Sequence, residues 1–321
     1  MLTLDLICQA QHRLRGRVHR TQLIPSAALS AYLGAPTYLK LECLQKTGSF
    51  KPRGAFNKML SLSPEQRQRG VVAVSGGNHA QGVAYAAKQL GIAAVIAMPA
   101  STPPNYLDAT RGYDAEIVLT PDIHAAFAEA ARLKDEGRVM IHPFDDLLVA
   151  AGQGTIGLEI LEDLPGVTRV YVSIGGGALI TGVATALRSI KPAVKVIGVE
   201  TEGADAMARS LAANQLIELP AITSIARTLG APRVSEFTLH HVQKWVEEVV
   251  VVDDAATVAA LILILERTKY LTEPAAACCL AAAVRQRSQL VAADQVVLLL
   301  CGGNVAAADL SAYQQRFMGK P

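Results

Sequence analysis

Lys46-Thr47-Gly48-Ser49-Phe50-Lys51-Pro52-Arg53-Gly54-Ala55 is the most informative segment of the chain, because it holds a lysine, Lys51, between an aromatic residue and a proline, with glycines on both sides. Glycine lets the backbone approach a ligand closely, and proline fixes the local chain direction. A lysine held in this way inside a cleft loses its proton more readily and can form a Schiff base with an aldehyde. The same residues also fit an ordinary surface lysine at the start of a helix. Features elsewhere in the chain are needed to discriminate between these two interpretations.

The composition indicates a large hydrophobic core. The chain has 321 residues, of which 51% are hydrophobic and 18% are charged, so more than one domain is expected. A formal net charge of +2 gives no electrostatic reason to expect a nucleic-acid or membrane-surface partner. The sequence has no apolar run near the roughly 18 residues that cross a bilayer, and its start lacks a signal-peptide pattern. We therefore expect a cytoplasmic protein.

The cysteines do not predict a disulfide framework or a metal site. There are five of them, an odd number, and none forms a CxxC pair. Their positions are Cys8, Cys43, Cys278, Cys279 and Cys301. No metal is therefore predicted.

Strand-like and helix-like segments alternate along most of the chain. Short β-branched runs, such as 71–74 and 296–300, are separated by segments of helix length. This alternation predicts an α/β architecture with mainly parallel sheets. We predict a large domain formed by residues 1–55 and 147–321, and a small inserted domain formed by residues 56–146.

Helices are expected directly after the lysine segment and in the last third of the chain. The apolar spacing predicts one helix over residues 55–62 and another over residues 239–248. A polar, irregular stretch is expected from residue 216 to residue 232.

Three glycine-rich turns each follow a predicted strand and precede a predicted helix, at residues 75–79, 175–178 and 301–304. In a parallel sheet such turns lie at the carboxyl ends of the strands, where α/β proteins bind their ligands. The free N–H groups and the dipole of the following helix favour an anion at such a turn. Several such turns beside a candidate lysine predict a ligand system that carries two separate anions.

These segments together resemble the pyridoxal-phosphate enzymes of fold type II. The likeness rests on the order and spacing of Ser49–Ala55, Ser75-Gly76-Gly77-Asn78-His79, Gly175-Gly176-Gly177-Ala178 and Cys301-Gly302-Gly303-Asn304. It extends to residues 142–146, 151–155 and 273–275 and so covers almost the whole chain. The chain is most similar to the threonine/serine dehydratase and serine racemase branch. The resemblance implies two open, twisted, mainly parallel-sheet domains with the cofactor in the cleft between them.

The resemblance also implies how pyridoxal 5′-phosphate would be held. Lys51 would bind the cofactor aldehyde covalently, and Phe50 would pack against the ring. Asn78 would donate to the ring hydroxyl, and Cys301 would face the ring nitrogen, where many relatives have serine. The 5′-phosphate would be bound by the main-chain N–H groups of Gly175, Gly176, Gly177 and Ala178. An alanine stands where the family usually has a fourth glycine, but alanine keeps the N–H group.

For the substrate, the resemblance implies that the turn after the β-branched run at 71–74 binds the amino-acid carboxylate. That turn consists of Ser75, Gly76, Gly77, Asn78 and His79. Serine racemases have a second serine at the position of Gly76, which here carries no acid–base group, so racemisation by that route is not expected. Positions Glu200, Ala204 and Ala206 match a divalent-cation site of some relatives. Because Ala206 has no ligand atom, we do not predict the site.

The activity that the resemblance implies is dehydration and deamination of L-threonine and L-serine to a 2-oxo acid and ammonia, with Lys51 as general base. Dehydration of another β-hydroxy amino acid, such as phenylserine or 3-hydroxyaspartate, and serine racemisation remain open. Arg227 departs from the family pattern near the expected substrate pocket. A homodimer is expected, as in relatives, and a C-terminal regulatory domain is not.

Two other classes of protein fit less well. A dinucleotide-dependent dehydrogenase would need a third glycine in the G-x-G-x-x-G register that begins at Gly175, and that position is Ile180. A protein that kept the fold for ligand binding but lost the chemistry is disfavoured, because Lys51 and the anion-binding turns are intact.

Overall fold

The computed structural model describes residues 1–319 and builds them from alternating strands and helices. The strands are Leu23–Pro25 (β1), Thr37–Lys40 (β2), Val71–Val74 (β3), Ala94–Pro99 (β4), Glu116–Thr120 (β5), Val139–Met140 (β6), Arg169–Ser173 (β7), Lys195–Thr201 (β8), Glu248–Val252 (β9) and Val296–Leu299 (β10).

Helices connect most of these strands. They are Leu4–Leu14 (α1), Ala27–Leu33 (α2), Lys51–Leu60 (α3), Pro64–Arg69 (α4), Asn78–Leu90 (α5), Pro104–Arg111 (α6), Ile123–Asp135 (α7), Leu147–Asp163 (α8), Ala178–Ile190 (α9), Ala206–Ala213 (α10), Glu236–Trp245 (α11), Asp254–Thr268 (α12), Pro274–Arg285 (α13) and Ala307–Met318 (α14).

Within residues 1–319 the strands form two sheets. One has the order β1-β2-β10-β7-β8-β9, in which every pair is parallel except β1 with β2. The other has the order β5-β4-β3-β6 and is parallel throughout. The α/β prediction with mainly parallel sheets is confirmed.

Two of the strands that precede glycine-rich turns are completely buried, as their β-branched sequences predict. All four residues of β3 and all four of β10 are buried. Because β7 and β10 are parallel neighbours, their carboxyl ends lie side by side. The turns at 175–178 and 301–304 are thereby placed next to each other at one edge of the larger sheet.

Two local predictions need correction, and one helix was not predicted. The helix after the lysine segment begins at Lys51 itself rather than at residue 55, because Pro52 occupies the first turn, where a missing N–H costs nothing. The helix expected over 239–248 is α11, which ends at Trp245, and the following valine-rich run forms the edge strand β9. Helix α10, which precedes the irregular stretch, was not predicted.

The main apolar core lies between the larger sheet and the helices that cover it. It contains Tyr171, Leu298, Ile180 and Leu280, all of which are fully buried. A separate core lies under the smaller sheet and includes Phe56, Met59 and Ile96. Across residues 1–319, none of the helices combines the length and the apolar character needed to span a bilayer.

Candidate active site

A cavity of about 1190 Å³ opens where the carboxyl ends of the two sheets meet. Its lining includes Lys51, the whole turn Ser75–His79, Gly176 and Glu273. A long segment with little regular structure, residues 216–235, forms much of its remaining wall. The structure therefore brings the predicted lysine and residues of two predicted anion turns into one space.

Backbone pairing holds the lysine segment against the turn that follows β10. Ser49 forms an antiparallel bridge with Gly302. The N–H of Phe50 donates to the Cys301 carbonyl at 3.0 Å, and the N–H of Gly303 donates to the Gly48 carbonyl at 2.9 Å. The glycine-rich turn at 301–304 thus fixes the backbone of the segment that precedes Lys51.

The Lys51 amine lies at the floor of the cavity. Its Nζ donates to the Pro143 carbonyl at 3.2 Å and lies 5.1 Å from the centre of the Phe50 ring. Burial lowers the pKa of Lys51 to about 8, although the nearby Cys301 and Glu273 groups oppose the change. A Cβ on Gly82 would lie only 2.8 Å from the Lys51 Cβ, so a glycine in α5 is what allows this close packing. The amine is consequently far easier to deprotonate than a surface lysine.

The turn at 175–178 forms the start of α9 and has no side chain in its first three residues. Gly177 has a φ of 99°, which only glycine adopts without strain. A Cβ on Gly176 would lie 2.0 Å from the Phe144 ring, so the backbone is open to the cavity only because residue 176 is glycine. Helix-start N–H groups without side chains in front of them form an anion site.

The turn at 75–79 forms the start of α5 at the end of β3. Ser75 Oγ accepts from the Gly77 N–H at 3.0 Å, which shapes the turn. The His79 ring is buried away from the turn, where Nε2 lies 2.8 Å from the Ile141 carbonyl and so carries the proton. Burial lowers the pKa of His79 well below its ordinary value. Of His79, only the main-chain N–H is available at the turn, and its imidazole is a neutral internal group.

Cys301 is buried beside β7. Its Sγ accepts from Ser173 Oγ at 3.3 Å and lies 3.7 Å from the Ala275 carbonyl. Burial and the Glu273 carboxylate raise the pKa of the Cys301 thiol well above its ordinary value. The residue is therefore a neutral thiol and not a nucleophilic thiolate.

Glu273 is a polar residue of the cavity to which the sequence assigned no role. It lies at the start of α13 and is 2% exposed. Its Oε1 accepts from Asn78 Nδ2 and from Thr228 Oγ1, each at 2.8 Å, and its Oε2 accepts from the Asn304 N–H at 3.2 Å. Burial raises the pKa of Glu273 to about 7, and these donors and Lys51 oppose the rise. The only sequence signal was the Glu-Pro-Ala segment, which places a carboxylate before a helix.

A second charged cluster lies beneath the lysine segment and is closed to the cavity. Arg53 binds Glu42 through Nε at 2.8 Å and Glu159 through Nη1 at 2.6 Å. Lys40 pairs with Glu159 and donates to the Thr21 carbonyl at 2.7 Å. Burial alone would raise the pKa of Glu42, but Arg53 and Lys40 outweigh it and the pKa lies below its ordinary value. We call Lys40, Glu42, Arg53 and Glu159 the buried charge cluster.

Glu200, considered above as a cation ligand, binds protein instead. Its carboxylate accepts from the Met207 N–H at 2.9 Å and from the Ala208 N–H at 2.7 Å, so it caps the start of α10. Burial raises the pKa of Glu200 to about 8. Among residues 1–319 there is no group of three or more His, Cys, Asp or Glu side chains arranged to hold a metal ion.

Comparison with known proteins gives the family. Residues 14–302 match the family described as pyridoxal-phosphate dependent enzyme, and the chain belongs to that family. It is 47% identical to the L-threonine ammonia-lyase of Thermotoga maritima over 251 residues, which are 78% of this chain and 63% of that protein. It is 41% identical to the catabolic L-threonine dehydratase of Escherichia coli over 250 residues, 77% of this chain and 76% of that protein. The cofactor prediction is confirmed at the level of the family.

Solved structures agree with this placement. Maize serine racemase superposes with a TM-score of 0.92 at 36% identity, and the match covers 99% of this chain and 98% of that one. The T.th. threonine deaminase has a TM-score of 0.89 at 39% identity, and the match covers 95% of this chain and 99% of that one. The chain spans less than two thirds of the length of the Thermotoga relative and, at 62%, of the Geobacter sulfurreducens L-threonine ammonia-lyase.

The residues of the cavity fit pyridoxal 5′-phosphate. Lys51 supplies an amine for the aldehyde, and the side-chain-free turn before α9 supplies N–H groups for a phosphate. Thr102 Oγ1 lines the cavity and is buried without a hydrogen-bond partner in the described chain, as expected beside a polar ligand. Both the anion site and the amine that the cofactor needs are present.

Proposed function

We propose that the protein is a pyridoxal-phosphate-dependent ammonia-lyase that dehydrates and deaminates L-threonine and L-serine to a 2-oxo acid and ammonia. The observation that carries the proposal is the Lys51 amine, whose pKa is lowered to about 8, on the floor of a cavity that also contains residues of two helix-start anion sites. The relatives named L-threonine ammonia-lyase and L-threonine dehydratase support the same substrate class.

When bound, the cofactor would supply the electron sink for charge that develops at the substrate Cα, and Phe50 would pack against its ring. Lys51 Nζ would bind its aldehyde, Asn78 would donate to its ring hydroxyl and the neutral Cys301 thiol would face its ring nitrogen. Its phosphate would be held by the N–H groups of Gly175, Gly176, Gly177 and Ala178. A neutral thiol does not hold the ring nitrogen protonated as a carboxylate would, which favours elimination of a β-substituent over transamination.

The substrate carboxylate is bound by the turn Ser75, Gly76, Gly77, Asn78 and His79, through main-chain N–H groups and the Ser75 hydroxyl. This anchors the amino acid by the dipole of α5 and holds its Cα within reach of Lys51 Nζ. Lys51 Nζ would take the Cα proton as general base. Its lowered pKa makes the neutral amine accessible near neutral pH.

A second candidate substrate is a β-hydroxy amino acid with a larger or anionic side chain, such as phenylserine or 3-hydroxyaspartate. Arg227 favours this candidate. It lines the cavity and is exposed, and in the chain that the structure describes it makes no ion pair within 4.0 Å. Racemisation is disfavoured because Gly76 supplies no second acid–base group on the opposite face of the substrate.

We also propose the domain division of 1–55 with 147–321, and 56–146. The strands of the smaller sheet all lie between residues 71 and 140, and those of the larger sheet lie outside that range, which supports the division. Cytoplasmic location and a homodimer remain parts of the proposal.

The experiment that tests the function is 2-oxo acid release by the purified protein with added pyridoxal 5′-phosphate. L-threonine, L-serine, phenylserine and 3-hydroxyaspartate are compared at equal concentration. Fastest release from threonine or serine is expected. Release only from 3-hydroxyaspartate would transfer the assignment to the second candidate, and racemised serine without 2-oxo acid would overturn the lyase.

A further inference from the structure

Glu273 and Asn78 form a contact that links the parts of the molecule carrying the two sheets. Asn78 is the first residue of α5, which follows a strand of the smaller sheet, whereas Glu273 precedes α13, which covers the larger sheet. Their side chains meet at 2.8 Å inside the cavity, and both are almost completely buried. Asn78 has a role in the proposed function, whereas the Glu273 carboxylate that accepts from it has none so far.

The hydrogen bonds fix which way the Asn78 amide faces. Asn78 Oδ1 accepts from Asn304 Nδ2 at 2.8 Å, and Asn304 Nδ2 also donates to the Thr47 carbonyl at 2.8 Å. A carbonyl only accepts, so the orientation of the Asn304 amide is determined, and that of Asn78 follows from it. Asn78 Nδ2 is therefore the atom that points to Glu273.

One N–H group of this network is left for a ligand. Both Nδ2 protons of Asn304 are used, one on Thr47 and one on Asn78. Asn78 Nδ2 has two protons as well, and Glu273 takes one of them. One N–H of Asn78 is left, in a residue that lines the cavity.

We propose that Glu273 is a positioning residue, whose carboxylate holds the Asn78 amide so that its second N–H donates to the ring hydroxyl oxygen of the cofactor and keeps that oxygen deprotonated. This inference rests on the cofactor site of the proposed function but not on the substrate. An N–H group held against an anionic oxygen stabilises it, and an Asn78 amide displaced from that position would no longer do so.

The variant Glu273→Gln keeps the shape of the side chain and removes its acceptor-only character. Its amide would bring a donor against either Asn78 Nδ2 or the Asn304 N–H, so one of these two bonds is lost and the Asn78 amide is no longer held in place from this side. The absorbance of the bound cofactor, recorded without any amino acid, is expected to shift from the long-wavelength form towards the short-wavelength form with a protonated ring oxygen. Cofactor affinity is expected to fall about tenfold.

Two further variants locate the effect. Asn78→Ala is expected to shift the absorbance in the same direction, and the double variant Glu273→Gln with Asn78→Ala should shift it no further than Asn78→Ala alone. Thr228→Val is the matched control, because it removes the other donor to Glu273 Oε1 and spares the bond to Asn78. Its absorbance is expected to match that of the wild type.

A wild-type spectrum in Glu273→Gln, or in Asn78→Ala, would overturn the proposal. So would an additional shift in the double variant, since Glu273 would then act on the cofactor without Asn78. If Glu273→Gln does not fold, Glu273→Asp is measured, with a smaller shift in the same direction expected and an unchanged spectrum counting against the proposal. Because no substrate is present, absent 2-oxo acid release would overturn the proposed lyase and leave this inference standing.

Discussion

Two polar clusters lie near the lysine segment, and they are built in different ways. The buried charge cluster beneath it has two cations and two anions that are at most 7% exposed and pair with one another. The cluster around Glu273 has one carboxylate, two amides and a hydroxyl, and it borders the cavity. The first cluster satisfies its charges internally, whereas the second keeps a donor for a ligand.

The buried charge cluster therefore serves stability, whereas the cluster around Glu273 serves ligand binding. Buried ion pairs tolerate no missing partner, because the charge left behind is neither solvated nor paired. A cluster with neutral members and free hydrogen-bonding capacity costs less to disturb and affects the ligand more. Lys51 is two residues from Arg53 of the first cluster in the chain, and its amine is near the Glu273 carboxylate of the second.

The largest expected effect is on Lys51 itself. Lys51→Ala removes the amine from the cavity floor and is expected to lower 2-oxo acid release by at least about 10³-fold, because general base and cofactor bond are lost together. Initial rates with saturating cofactor measure this. Lys46→Ala, in the same segment but outside the cavity lining, is the control and should retain its activity. Substantial activity in Lys51→Ala would refute the assignment of the active-site lysine.

The next effect is on stability and tests the buried charge cluster. Arg53→Met leaves Glu42 and Glu159 buried without their guanidinium partner, and the free energy of unfolding is expected to fall by about 3–5 kcal/mol. Denaturant-induced unfolding followed by circular dichroism measures the change.

The control for that measurement is Arg20→Met, which removes an exposed arginine that pairs with Glu162 and Asp163. It should cost no more than about 1 kcal/mol. Equal losses in the two variants would mean that the buried charge cluster contributes nothing beyond a surface pair.

A smaller effect is expected at Gly76. A Cβ at this position would lie 2.6 Å from Thr102 Oγ1, a buried hydroxyl, so Gly76→Ser should displace the carboxylate-binding turn and lower kcat/KM about tenfold. Adding Thr102→Ala opens the space, and most of the loss should be recovered. Full activity in Gly76→Ser alone would show that the turn accommodates the larger side chain without loss of carboxylate binding, which would contradict this prediction.

The smallest effect concerns pH. Since burial lowers the pKa of Lys51 to about 8, its neutral fraction rises as pH increases through that value. The rate at which cofactor-free protein binds pyridoxal 5′-phosphate should rise about fivefold from pH 7 to pH 8 and level off above pH 9. Absorbance stopped-flow measures it. A rate that keeps rising towards pH 10.5 would indicate an unperturbed lysine.

The α/β architecture, the buried strands and the positions of the lysine and the glycine-rich turns all follow from the order of residues alone. These features are local: β-branched runs, glycines and the residues around Lys51 specify strands and helix starts without reference to distant residues. The local errors, at β9 and at the start of α3, concern element boundaries, where a valine-rich run and a first-turn proline outweighed the helical spacing.

Which side chains meet, by contrast, depends on the packing of the whole chain. Glu273 lies 195 residues from Asn78 in the chain, and no local pattern joins them. The fold also turned the His79 ring away to the Ile141 carbonyl and placed Thr102 against Gly76. Side-chain direction and long-range pairing depend on how two sheets and their helices pack together, because hydrogen-bond partners must be satisfied across the whole interior and not along one segment.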